Sequence, residues 1–205
     1  MPSPTWIKKG NAISVEIECC FPYGIIETGY CDSDYCCGEC EEHDYSYLYA
    51  KLNKYRKNIY ICHDSSIECN GNAAEIVVTA SVINIKQILT YIMNIIKKLG
   101  GYVNASCGMH VHYDMRAKKL TEIDRSHLEQ QARAIMDYVS KDRLHSGWCA
   151  PTTKNGKYSA INLNTGYDTI EVRAHEGCLN ANKAIRWIMA MHQVIYKRKR
   201  IEECL

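Results

Sequence analysis

The chain has 205 residues, 46% hydrophobic and 23% charged, with a net charge of +2. That length suits one globular domain with its own core, and the near balance of charge excludes a bulk attraction to nucleic acid or membrane. Twelve cysteines is a high count; with no apolar leader in MPSPTWIKKGN they read as reduced thiols or metal ligands of a cytoplasmic protein, not as a disulfide framework.

Ala12 to Phe21 reads as the first strand, ended by Pro22. Within it, Glu16 and Glu18 flank Ile17, so both carboxylates share one face. Residues 24–46 read as an irregular insert holding Cys31, Cys36, Cys37, Cys40 and His43. Tyr45 to Lys57 fits a short helix or a poor hairpin. Asn58 to His63 is a short strand leading into Asp64-Ser65-Ser66. Asn70-Gly71-Asn72 signals a turn, and Glu75 to Ala80 is the next strand.

Ser81 is a suitable N-cap for a helix running to Leu99, with an apolar stripe of Ile85, Ile88, Leu89, Ile92, Ile95, Ile96 and Leu99. Asn84, Lys86, Gln87, Asn94, Lys97 and Lys98 interrupt this stretch, so it is amphipathic and no membrane span. Gly100-Gly101 stops it. The stretch SCGMHVHYD follows, a strand with His110 and His112 on one face and Met109 and Val111 on the other. Thr121 starts a second helix, with Asp124 as its capping-box partner and a stripe of Leu128, Ala132, Ile135 and Val139. Residues 142–157 form a loop with Arg143, Trp148 and Lys154, expected to be a mobile cover. Tyr158 to Asn164 is a strand, Thr165-Gly166 a turn, and Thr169 to His175 a strand in which Glu171 and Arg173 flank Val172. Asn182 opens a last helix packed through Ile185, Ile188, His192 and Ile195. This order predicts an α+β fold, an antiparallel or mixed sheet with helices on one face.

Alternation sends Glu16, Glu18, Glu75, His110, His112, Glu171 and Arg173 to the open face. Clustered carboxylates repel unless cations sit among them, and oxygen donors with imidazole suit Mg²⁺ or Mn²⁺. A nearby arginine suits a phosphate or carboxylate ligand. Together these are the parts of a phosphoryl-transfer site. Neither G-x-x-x-x-G-K-[ST] nor G-x-G-x-x-G occurs, so a nucleotide would be held by other means.

VEIE, CGMHVH and TIEVRAHEGCLNANKAIRWI resemble the amidoligase family of carboxylate–amine ligases, which is related in fold to glutamine synthetase and glutamate–cysteine ligase. The family's ExE strand, D-x-S turn with a following strand glutamate, GxHVH strand, and asparagine strand before ExR fall here on Glu16 and Glu18, on Asp64, Ser66 and Glu75, on Gly108, His110 and His112, and on Asn162, Glu171 and Arg173. The resemblance implies a curved, mostly antiparallel sheet like the glutamine synthetase catalytic domain. It implies one Mg²⁺ on Glu18 and Glu75, and another on Glu16, His110 and Glu171. His112 would lie at the acceptor substrate, with Asp64 and Ser66; Arg173 and Arg143 would bind the transferring phosphoryl group; Asn162 and Lys154 would stand on the ATP side. The expected partners are ATP, a carboxylate and an amine, from an amino acid, peptide or protein side chain. Ser14 and Ser65 stand where the family has glycine, and the Cys-rich insert is outside its pattern.

Three rival expectations accompany this one. A guanidino kinase-like phosphotransferase would use a similar site without making an amide. A binding protein could keep the fold without catalysis. Lys197-Arg198-Lys199-Arg200 could contact nucleic acid, but it closes a helix where cations suit the dipole, and Glu202-Glu203 follow; no nucleic-acid or membrane partner is expected. The spacing C-x₄-C-C-x₂-C-x₂-H over Cys31 to His43 raises structural Zn²⁺, with free thiols as the alternative.

Overall fold

The structure, a computed structural model, describes residues 8–30, 41–141, 143, 147 and 149–205. Its strands are β1 (Ala12–Phe21), β2 (Glu27–Tyr30), β3 (Glu41–Asp44), β4 (Ile59–Cys62), β5 (Asn72–Ser81), β6 (Gly108–Asp114), β7 (Ile161–Asn162) and β8 (Thr169–Glu176). Its helices are α1 (Ser46–Lys51), α2 (Ile85–Lys98), α3 (Glu122–Ala134) and α4 (Ala181–Lys197). Six strands form one sheet in the order β4-β5-β1-β6-β8-β7, and every pairing is antiparallel. The fold is α+β.

Alternation explains how the sheet buries one face. Ile13, Val15 and Ile17 of β1, Ile76 and Val78 of β5, Met109, Val111 and Tyr113 of β6, and Ile170 and Val172 of β8 all point to the back and are fully enclosed. They join one core with Ile88, Leu89, Ile92 and Ile96 of α2, Leu128 and Ala132 of α3, and Ile188, Met191 and Val194 of α4. Each such Val, Leu, Ile or Met side chain contributes about 1.5–3 kcal/mol by leaving water. Tyr113 carries a hydroxyl into this core and donates it to the Ile188 carbonyl at 2.8 Å, which removes the cost of burying it.

β8 carries a bulge. Val111 pairs with Val172, but Met109 pairs with His175, so β8 has one residue more than β6 in that interval. The extra residue turns His175 to the helix side, where it meets the Trp187 ring edge-on at 5.1 Å. Arg173 stays on the front.

Several boundaries differ from the sequence reading. The stretch 24–46 is not wholly irregular: β2 and β3 pair as a two-stranded sheet. Residues 45–57 resolve as α1 followed by a 3₁₀ turn over Asn53–Asn58. Ser81 does not cap α2. It pairs with Ala12 as the last residue of β5, and the helix begins at Ile85. The last helix is capped by Asn180, whose side chain accepts from the Lys183 amide, and not by Asn182. The strand expected over Tyr158 to Asn164 shrinks to Ile161–Asn162 after a 3₁₀ turn. Val139 lies beyond α3 in extended backbone. The capping box of Thr121 and Asp124 is present. No helix among the described residues is long and apolar enough to cross a membrane.

The cysteine expectation also needs correction. Cys20 and Cys69 form a disulfide that bridges the end of β1 to the loop before β5. Spacing alone could not reveal it, because the two residues are 49 apart and the partners meet only through β1–β5 pairing. Cys19, Cys62, Cys107, Cys149, Cys178 and Cys204 are free thiols. Cys31, Cys36, Cys37 and Cys40 lie outside the described residues. His43, the fifth member of that pattern, stacks on His63 at 4.1 Å.

Candidate functional site

Register decides which front-face groups meet. Glu16 sits opposite His110, and Ser14 opposite His112. Glu18 sits opposite Glu75, a like-charge pair that opposes folding unless something offsets it. On the far side of β6, His112 is opposite Glu171. Glu171 is in turn opposite Asn162.

Two triads result. Ligand atoms of Glu16, His112 and Glu171 lie within 4.8 Å of one another, and so do those of Glu18, Asp64 and Glu75. His112 Nε2 is 2.9 Å from Glu16 Oε1. Since a carboxylate only accepts, Nε2 carries the proton here, and Nδ1 accepts from Thr169 Oγ1 at 3.1 Å. The threonine hydroxyl can also accept, so the ring can move its proton to Nδ1 and free Nε2 as a ligand. Glu171 is fixed by Asn162 Nδ2 at 2.9 Å on one oxygen and by Arg173 Nη1 on the other. Asp64 is shaped by Ser66, whose amide and hydroxyl donate to its Oδ1 at 2.8 and 2.7 Å. Glu18 accepts the Gly108 amide at 2.5 Å.

His110 lies between the triads. Its Nδ1 is 3.1 Å from Glu16 Oε2, and its Nε2 is 3.5 Å from Glu18 Oε1. Arg143 Nη2 approaches the same Nε2 at 3.3 Å. Arginine can only donate, so Nε2 accepts and Nδ1–H donates to Glu16. The expected grouping of His110 with Glu16 and Glu171 gains a second imidazole, His112. His110 Nδ1 and His112 Nε2 each lie 3.9 Å from Glu171 Oε1 and each contacts Glu16, so both imidazoles border this pair of carboxylates. Asp64, expected at the substrate, joins Glu18 and Glu75.

The electrostatics follow from crowding. Burial pushes the Glu75 carboxyl up, the charges of Glu16 and Asp64 push it further, and it reaches about 8. Burial would raise Glu16 as well, but hydrogen bonds from His110 and His112 prevail and hold it far below the carboxylate range. Burial pushes the Cys62 thiol, 3.5 Å from Glu75 Oε1, up to about 12. A carboxyl kept protonated near neutrality by burial and by neighbouring carboxylates is a place where a cation is favoured.

Glu16, Glu18, Glu75, His110, Asp64, Ser66, Ser106, Arg143, Arg173, Lys157 and Tyr158 line one cleft of about 250 Å³. Arg143 is almost wholly buried and donates to the Arg173 carbonyl at 2.8 Å. It contacts His110 and the bulge and lines the cleft beside Arg173. Lys154 is not in the cleft: it lines a separate groove against α3. Lys157 lines the cleft instead. Sequence reading passed over Lys157 because it sits in a loop with no alternation to orient it; the adjacent Tyr158, whose ring it covers at 5.2 Å, was the available signal. The described part of the 142–157 loop is fastened to α3 through Glu129, which accepts the Thr153 amide and hydroxyl at 2.8 and 2.6 Å.

No protein-family model and no curated protein matches the sequence. Among solved structures, the fold is similar to glutamine synthetase of Plasmodium falciparum, determined by electron cryomicroscopy, with a TM-score of 0.39 and 11% identity. The match covers 93% of this chain and 53% of that one, so the chain spans about half the length of that protein.

Proposed function

We propose that this protein is an ATP- and Mg²⁺-dependent carboxylate–amine ligase of the amidoligase kind, built on a glutamine synthetase-like sheet, which forms an amide through an acyl phosphate. The observation that carries the reading is the pair of triads, Glu16/His112/Glu171 and Glu18/Asp64/Glu75, of which Glu16, Glu18, Asp64 and Glu75 line a small cleft edged by Arg173 and Lys157. The donor set fits hard divalent cations: five carboxylates and one imidazole, with Glu75 raised to about 8 by burial and by the charges of Glu16 and Asp64. When bound there, Mg²⁺ or Mn²⁺ supplies positive charge against the ATP phosphates.

The remaining roles belong to the chain. Arg173 lines the cleft with its guanidinium held by Glu171, and donates to the transferring phosphoryl group. Lys157 adds a second cation at that edge. Asn162 keeps Glu171 oriented, and Arg143 keeps His110 and the bulge oriented. The substrate carboxylate oxygen bonds to the γ-phosphorus as ADP leaves. The amine nitrogen then bonds to the acyl carbon, the carbon–oxygen bond to phosphate breaks, and the amine proton is released.

The test supplies ATP, Mg²⁺, hydroxylamine and a panel of amino acids and peptides. Hydroxylamine captures an acyl phosphate as a hydroxamate, so a ligase gives hydroxamate, ADP and phosphate in equal amounts with at least one carboxylate. Phosphorylation of a guanidino compound without hydroxamate supports the kinase reading instead. Absence of ATP binding at millimolar nucleotide and Mg²⁺ refutes both.

A further inference from the structure

The carboxylate cleft has a covalent fastening at one end. Cys20 follows Glu18 by two residues on β1 and faces the same side. Its disulfide partner Cys69 lies in the loop that begins at Asp64. That loop therefore delivers a ligand of the Glu18/Asp64/Glu75 triad at one end and is tied to the same strand at the other.

The loop's remaining anchors are light. The Glu68 amide donates to Ser106 Oγ at 2.9 Å, Asn104 Nδ2 donates to the Glu68 carbonyl at 2.6 Å, the Tyr102 hydroxyl donates to the Asn70 carbonyl at 3.4 Å, and Ile67 packs into a small satellite cluster with Cys20, Ala73 and Cys107. This cluster is separate from the main core. Opening the disulfide would loosen the loop without unfolding the sheet.

We propose that Cys20–Cys69 is a redox modification site that sets how firmly Asp64 is held at the carboxylate cleft, so that a dithiol reductant weakens cation binding there. The two sulfurs differ in access. Cys20 is fully buried, whereas Cys69 is partly exposed. An external thiolate bonds to Cys69 Sγ, the disulfide breaks, and Cys20 leaves as a thiolate and takes up a proton. The reductant's second thiol then attacks the mixed disulfide and releases Cys69. The reductant is oxidised to a disulfide, and two electrons and two protons reach Cys20 and Cys69. Cys107, in the same cluster, is buried and its thiol is pushed up by burial, so it is not the attacking group.

The consequence for cations rests on the proposed use of the cleft, and the experiment separates the two. Mn²⁺ binding is titrated by electron paramagnetic resonance on air-oxidised and dithiothreitol-treated protein, with Cys69→Ser as the permanently open form. Hydrogen exchange over residues 64–71 is followed on the same samples, and free thiols are counted by mass. The expected result is about tenfold weaker Mn²⁺ binding and faster exchange on reduction, with Cys69→Ser indifferent to the reductant. Equal affinity and equal exchange in the two forms of the wild type overturn the proposal, as does free Cys20 and Cys69 in the oxidised sample. If neither form binds Mn²⁺, the cation reading of the cleft fails. Redox-dependent exchange would then still support the fastening, and redox-independent exchange would overturn it.

Discussion

Gly108 stands where three functional contacts converge. Its amide donates to Glu18, and a Cβ at its position would lie 2.8 Å from His110 Nε2 and 2.9 Å from Arg143 Nη2. Both neighbours are buried and hydrogen-bonded, so neither can step aside cheaply. Gly108→Ala is therefore expected to cost about 1–3 kcal/mol in urea unfolding and to weaken Mn²⁺ binding by displacing His110. Glu18→Gln tests the opposite combination. The amide oxygen can still accept from Gly108, so the fold should persist, while one negative ligand is lost. Cation affinity should fall on the order of 10–100-fold, with a turnover loss at least as large. An unchanged titration would remove Glu18 from the cation site.

At the scale of elements, α3 shows what local sequence can and cannot specify. Its start was legible because Thr121 and Asp124 satisfy each other within one turn. Ser81 offers similar chemistry, yet long-range pairing with Ala12 claims it for β5. Asp124 also reaches beyond its own helix, accepting from Arg198 Nε at 2.8 Å. The Arg198 contact, and then the Thr121 and Lys118 contacts, outweigh burial and hold its carboxyl well below the ordinary 3.8. A depressed acid stabilises the fold above its unfolded pKa and loses that contribution as pH falls through the acid range. Asp124→Asn should lower stability by about 1 kcal/mol at pH 7 and flatten the acid limb of a stability–pH curve; an unaltered limb would show that Asp124 does not control it. The outer face of the same helix presents Glu129, which accepts from Thr152, Thr153 and Arg133. These contacts hold its carboxyl down to about 2, the Thr153 hydroxyl bond contributing most. Glu129→Ala should leave α3 intact but speed hydrogen exchange across residues 150–158, the segment that presents Lys157 to the cleft. Protection unchanged there would mean the loop is held by other contacts.

For the whole molecule, the division between legible and illegible follows the range of the interactions. Period-two alternation is local, and it assigned Glu16, Glu18, His110, His112 and Glu171 to a common face without any knowledge of neighbours. Strand order and register are not local. That His110 and His112 both border Glu16 and Glu171 depends on β1 pairing with β6 and on β6 pairing with β8. That Asp64 meets Glu18 and Glu75 depends on a loop fastened across 49 residues. The same nonlocality makes a global prediction. The two triads draw ligands from β1, β6 and β8, and from β1, β5 and the loop after β4. No unfolded chain holds these groups together, so a bound cation stabilises only the native state. At a concentration one hundred times its dissociation constant, a single cation adds about 2.7 kcal/mol, or about 5–10 °C in Tm for a chain of this size. Thermal unfolding with increasing Mn²⁺ or Mg²⁺ should show that rise, growing with the logarithm of cation concentration. Glu18→Gln and Glu171→Gln should each reduce it, and the double variant should abolish it. A Tm insensitive to both cations at millimolar concentration would show that the triads are not cation sites.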